Sequence, residues 1–217
     1  PRWFRKAGSA AVNQLKGAER WIKEFPDRIF LDKGCVTPFP LNFPTSDRIR
    51  LHRVVVARGA AEACRDHFGG GLGTLLVMPG MHGSAHVTPG AKDYTPFAIG
   101  DIDPGADFVH VFDEVALDIV LRELDTITDF TDYLDKRATF LRSGRLIAAH
   151  GEEDLLAYYA IRINDHGMHD FTAPAGKSWD EIDGLSLGAG HYADYVSDPQ
   201  YAAKKRADEI SYAWDRL

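Results

Sequence analysis

Cysteine is nearly absent: Cys35 and Cys64 are the only two in 217 residues. Two thiols are too few for a disulfide framework or a thiolate zinc site, and a reduced, cytoplasmic setting is the simplest expectation. Long apolar runs are missing as well. Runs such as residues 75–78 are strand-sized, and none approaches the ~18 residues of a membrane span, so no membrane partner is expected. No apolar segment behind a basic start marks a secretory signal. Low-complexity tracts and internal repeats are also lacking. An apolar fraction of 45%, with 11% aromatics, excludes a disordered chain. The length suits one large domain or two small ones with a real core.

The net charge of −7 conceals an asymmetry. Residues 1–65 carry +7 and residues 66–217 carry −14. Only the start of the chain is therefore suited to a polyanion. The alternative is a basic face docked on an acidic one within the same molecule, and sequence leaves both open.

Phe4, Ala7, Ala11, Leu15, Ala18, Ile22 and Phe25 recur at three- and four-residue steps, the stripe of a long helix closed by Pro26. Gln14 and Trp21 lie beside that stripe. Residues 29–31 suggest a short strand, and residues 48–57 a longer one ending in Val54-Val55-Val56. A helix over 60–68, a strand over 74–78, an irregular loop over 79–96 and a strand over 108–112 follow. Residues 114–141 carry helical periodicity with a break near 125–128, where Thr and Asp can cap a second helix. A helix over 152–163 comes next. Ser178 and Glu181 have capping-box spacing, and Asp198-Pro199 opens the last helix. The expected fold class is α/β, a mixed sheet of about four to five strands flanked by helices. Residues 1–112 would form the α/β layer and residues 113–217 a mainly helical portion packed on it.

Several clusters invite chemistry. The run Gly69-Gly70-Gly71-Leu72-Gly73 lies between a helix and a strand, the reverse of a phosphate loop, and reads as a helix cap and turn. His82 and His86 flank Ser84 in a loop. They lack both the Glu of the zinc-protease motif and a Gly-x-Ser-x-Gly elbow, but could serve a hydrolase together with a carboxylate such as Asp113. His110, Asp113 and Glu114 stand where a strand gives way to a helix, a position open sheets use for ligands; Asp113 equally suits a helix N-cap. His150-Gly151-Glu152-Glu153-Asp154 and residues 165–170 are dense in ligand-type side chains. The first also suits the positive end of a helix dipole and the second a turn.

The runs Arg2-Trp3-Phe4-Arg5-Lys6-Ala7 and Gln14-Leu15-Lys16-Gly17-Ala18-Glu19-Arg20-Trp21-Ile22 have further partners. These are Phe108-Val109-His110-Val111-Phe112-Asp113-Glu114, Leu124-Asp125-Thr126-Ile127-Thr128-Asp129-Phe130 and Gly151-Glu152-Glu153-Asp154-Leu155-Leu156. Together, to about Phe171, the chain resembles a family of uncharacterised bacterial proteins. Longer members of that family carry an upstream segment similar to the core of PD-(D/E)XK nucleases and the NERD domain. The resemblance implies a metal-dependent phosphodiesterase whose acid and Glu-x-Lys, with a divalent ion such as Mg²⁺, lie upstream of this chain. It also implies that Gln14 steadies the metal-binding groups.

On this reading the chain is inactive alone, and its basic third, with Arg2, Arg5, Lys6 and Lys16, faces nucleic acid. Two alternatives stand beside it: a self-contained metal-dependent hydrolase using His82, His86 and a carboxylate such as Asp113, and a non-catalytic interaction or oligomerisation module.

Overall fold

Valine-rich segments pair where the chain can cover both faces, and two such segments anchor the first half of this protein. The computed structural model describes residues 4, 10–42, 44, 49–70, 74–90, 92 and 94–214, without the side chains of 209–214. Strand β1 (Arg53–Ala57) runs parallel to β4 (Val109–Asp113), with Val55 opposite Val111. A second, mixed sheet has the order β3-β2-β5-β6, built from β2 (Leu76–Val77), β3 (Ala98–Ile99), β5 (Leu146–Ala149) and β6 (Leu185–Leu187). The α/β class and the helical C-terminal part agree with expectation. The strands, however, divide between two sheets.

Helix α1 (Ala10–Glu24) precedes this layer, and α2 (Ala60–Phe68) joins β1 to β2. Gly69, with φ of 73°, ends α2 by donating its N–H to the Arg65 carbonyl, the left-handed cap its lack of a Cβ permits. After β4 come α3 (Glu114–Glu123) and α4 (Ile127–Arg142), broken as the sequence suggests: Thr126 caps α4 by accepting from the Asp129 N–H. Helix α5 (Glu152–Ala160), α6 (His191–Ser197) and α7 (Pro199–Trp214) complete the chain.

Some boundaries differ from expectation. The strand at 29–31 is only a bridge between Phe30 and Pro38. Asp32 draws the N–H groups of Val36 and Thr37 into a turn there, and Pro38 has no N–H to extend a ladder. The strand expected from residue 48 begins at Arg53, and the helix expected to reach residue 163 ends at Ala160.

Strand β4 is buried along its whole length and feeds two cores. Val109 and Val111 pack with Val55, Leu75, Ile99 and, from α1, Val12. Phe112, on the opposite face, joins Val120 of α3, Leu134 and Leu141 of α4, and Leu155 and Leu156 of α5. In that second core lies a charged group no water reaches. Arg137 of α4 donates from Nε and Nη2 to the two oxygens of Glu152, each at 2.7 Å, and Tyr133 donates to Glu152 at 2.6 Å. The guanidinium also stands 5.1 Å from the Phe112 ring centre.

Leaving one buried charge without its partner costs far more than an exposed pair is worth. Glu152→Ala is therefore expected to lower unfolding stability by about 3–5 kcal/mol in urea denaturation, whereas removing the exposed Asp118–Arg122 pair is expected to change it by about 0.5 kcal/mol or less.

Candidate functional site

The face from which a supporting role is expected is built by α1 and β1. Val12, with Ala11 and Leu15, presses on Val55 and Val109. Arg53, at the head of β1, donates from Nε to Glu19 of α1 at 2.7 Å and from Nη2 to Asp107 at 3.0 Å, clamping the helix to the layer. Lys16 pairs with Asp103, and Arg50 with Asp135. Three cations of the basic third thus dock on the acidic body, the internal pairing that the charge asymmetry left open. Gln14 is exposed, beside the stripe. The farther half of the stripe is uncovered: Ala18 and Phe25 are exposed and Ile22 half-buried, with Trp21 open next to it. Strand β1 pairs only with β4 among the described residues, and Val56 is open to solvent. Arg2, Arg5 and Lys6 lie outside the described residues.

The histidine pair takes structural positions. His82 is exposed, with Nδ1 3.2 Å from the Pro79 carbonyl. His86 is buried and stacks on Phe4 with ring centres 4.6 Å apart. Its Nδ1 lies 3.0 Å from the Gly83 carbonyl, while Nε2 accepts the Gly100 N–H at 3.0 Å. That acceptor role consumes the lone pair a metal would need. Asp113 is the N-cap of α3: Oδ1 accepts from Val115 and Ala116 at 3.0 and 2.8 Å, and Oδ2 from Leu75 at 2.8 Å. Asp113 and His86 thus have separate sets of partners. Among the described residues no group of three His, Cys, Asp or Glu side chains could hold a metal ion.

Neither protein-family models, curated proteins nor solved structures match this chain.

The three acids opening α5 have three different partners. Glu152 binds Arg137, and Asp154 accepts the Tyr192 N–H of α6 at 3.0 Å. Glu153 accepts from the Thr74 hydroxyl and lines a cavity of about 200 Å³ with Cys64, His150 and Tyr192. Burial foremost, then the neighbouring Asp154 and Asp113 carboxylates, push the Glu153 carboxyl up from 4.5 to about 7 against the Thr74 bond. Burial likewise raises Asp113, and holds the Cys64 thiol at about 11, so that thiol is no nucleophile. Gly151 is required here, because a Cβ would sit 2.2 Å from the Thr74 hydroxyl.

Sequence reading placed these acids at a helix N-terminus without their burial. The signal was the apolar run Leu155 to Tyr159, which leaves α5 no solvent face. Residues 164–170 form the expected turn, Asn164 accepting the N–H groups of His166 and Met168.

Glu153 sets a pH dependence of stability. Its folded value lies above its unfolded one, so the folded protein holds a proton that the unfolded chain has released between about 4.5 and 7. The contribution is complete below about 4.5 and is lost as pH rises to about 7; Asp113 acts in the same direction. Glu153→Gln is expected to flatten that part of the stability profile in chemical denaturation. Superimposable profiles would show that the carboxyl titrates normally.

Proposed function

We propose that this chain is the supporting half of a nuclease-like protein, with catalytic acid and Glu-x-Lys residues supplied by a segment outside residues 1–217. The observation that carries the reading is the half-covered α1. Its first half packs on the β1–β4 layer, while Ala18, Trp21 and Phe25 stay exposed, and β1 pairs only with β4 among the described residues. Exposed apolar helix surface, and a strand edge without a partner among the described residues, are what an additional strand and loop would bury.

The divalent ion of such chemistry would be held in that other segment, since the described side chains here supply no ligand set. Its role there would be to activate water for attack on a phosphodiester. Gln14, exposed on the same helix, is available to that segment. Nucleic acid is the substrate implied, and the two free cysteines fit a cytoplasmic setting. No described helix is long and apolar enough to cross a membrane.

The test begins with residues 1–217 purified and incubated with Mg²⁺ or Mn²⁺ and plasmid, linear or single-stranded DNA. No cleavage is expected. The product of the full in-frame coding sequence is expected to cleave, and Ala18→Glu on the open face of α1 to lower that rate roughly tenfold by disturbing the fit of the two segments. Cleavage by residues 1–217, abolished by a point change within them, would overturn the reading. So would a coding sequence with no upstream acid and Glu-x-Lys. Light scattering on the same sample reads whether two copies pair through the free edge instead.

A further inference from the structure

A second cleft, of about 470 Å³, opens between the end of α1, residues 49–52 and α4. Lys23, Arg50, His52 and Arg142 stand around it, and Phe108 and His110 form its floor. We infer that this cleft binds a tetrahedral oxyanion of the phosphate type, with the Nε2–H of His110 as the donor at its floor. The inference is independent of the nuclease-like reading.

The tautomer follows from the neighbour. His110 is 3% exposed, and its Nδ1 lies 3.4 Å from Nη1 of Arg137. A guanidinium only donates, so Nδ1 accepts and the ring hydrogen resides on Nε2. Among the described residues Nε2 has no protein hydrogen-bond partner, and it opens onto the cleft, where an acceptor can take its N–H in place of water. Burial, with Arg137 and His52 adding to it, depresses the imidazole to about 2, so the ring stays neutral and keeps that hydrogen in one place across the working pH range.

The walls set Lys23, Arg50 and Arg142 among the carboxylates of Glu19, Asp107 and Asp135. Among the described residues Lys23 spends one N–H on Glu19, and Arg50 reaches only Asp135. Arg142 engages Asp101 through Nε at 2.6 Å and the Ala106 carbonyl through Nη2, leaving Nη1 unspent. The carboxylates in the cleft are already engaged: Glu19 and Asp107 by Arg53, Asp135 by Arg50 with His52 at 3.8 Å. A cation would have to displace a guanidinium, whereas an acceptor-rich ligand completes donors arriving from the floor and two walls. A tetrahedral anion meets such a set with more oxygens than a planar carboxylate can.

The test follows the Nε2 resonance of ¹⁵N-labelled His110 during titration with inorganic phosphate at constant ionic strength and neutral pH. Sodium acetate and ribose 5-phosphate provide the comparison arms. A saturable shift at low-millimolar phosphate is expected, with acetate roughly tenfold weaker. Tighter binding of ribose 5-phosphate would identify an ester, and tighter binding of inorganic phosphate the free ion. Loss of one charge-assisted bond predicts that Lys23→Ala and Arg50→Ala, both at the exposed rim, each raise Kd by roughly fivefold; His110→Phe, which removes the reporting nitrogen and is therefore read by isothermal titration calorimetry, raises it by roughly tenfold. Should His110→Phe fail to fold, the two rim variants decide. A linear, unsaturable shift, an equal response to acetate, or variants with unchanged Kd would overturn the site.

Discussion

A guanidinium removed from water has to be answered on every side, and the positions of α4, α5 and β4 follow from how Arg137 is answered. Glu152 takes two of its N–H groups from the first turn of α5, Tyr133 donates to the same carboxylate from one turn earlier on α4, and the Phe112 ring lies against its plane. Desolvating such a pair is costly, and its net contribution to stability is small unless every lone pair is used. Its structural effect is directional. A two-point contact tolerates little rotation, so α4 and α5 are held in one register. The same constraint reaches His110, whose Nδ1 is turned toward Arg137 and whose other nitrogen is thereby left for the cleft.

The acids of α5 show how one local sequence can meet three separate demands. A helix N-terminus favours negative charge by its dipole, which accounts for the presence of three carboxylates but not for their distribution. Burial decides that. Glu152 finds a full positive charge and Asp154 a backbone N–H across the interface, whereas Glu153 finds a hydroxyl, its own backbone N–H and two neighbouring carboxylates. Glu153 therefore carries the strain of the site as an elevated proton affinity. Gly151, with no Cβ, lets the chain pass close to Thr74 so that this arrangement closes.

Much of the fold was legible because helices announce themselves over ten or more residues. The break between α3 and α4, the Asp113 cap, and the Asp198-Pro199 start of α7 all follow from local capping chemistry that tertiary structure had no reason to override. Strands β5 and β6 escaped reading since four and three residues carry too little alternation to separate from a loop, and their existence depends on pairing with each other. Arg137 was a subtler omission. It directly follows Asp135-Lys136 and reads as surface, yet Tyr133, Arg137 and Phe140 recur at four- and three-residue steps on the buried face. His82 and His86 looked alike in sequence, and only packing separates an exposed ring from one stacked on Phe4.

The distribution of charge limits how this chain can meet a phosphate. A net charge of −7 opposes long-range attraction of any polyanion, and Lys16, Arg50 and Arg53, which would otherwise make the first third strongly positive, are spent on Asp103, Asp135, Glu19 and Asp107. Exposed charges act only within about 8–10 Å at physiological salt, so recognition has to be local. A buried neutral donor suits that situation better than another exposed cation: it adds no charge to be screened, needs no counter-ion, and loses little entropy on engaging a ligand because β4 and Arg137 already fix its ring. Recognition of that kind depends on donor geometry, and the geometry is inherited from the buried ion pair behind it.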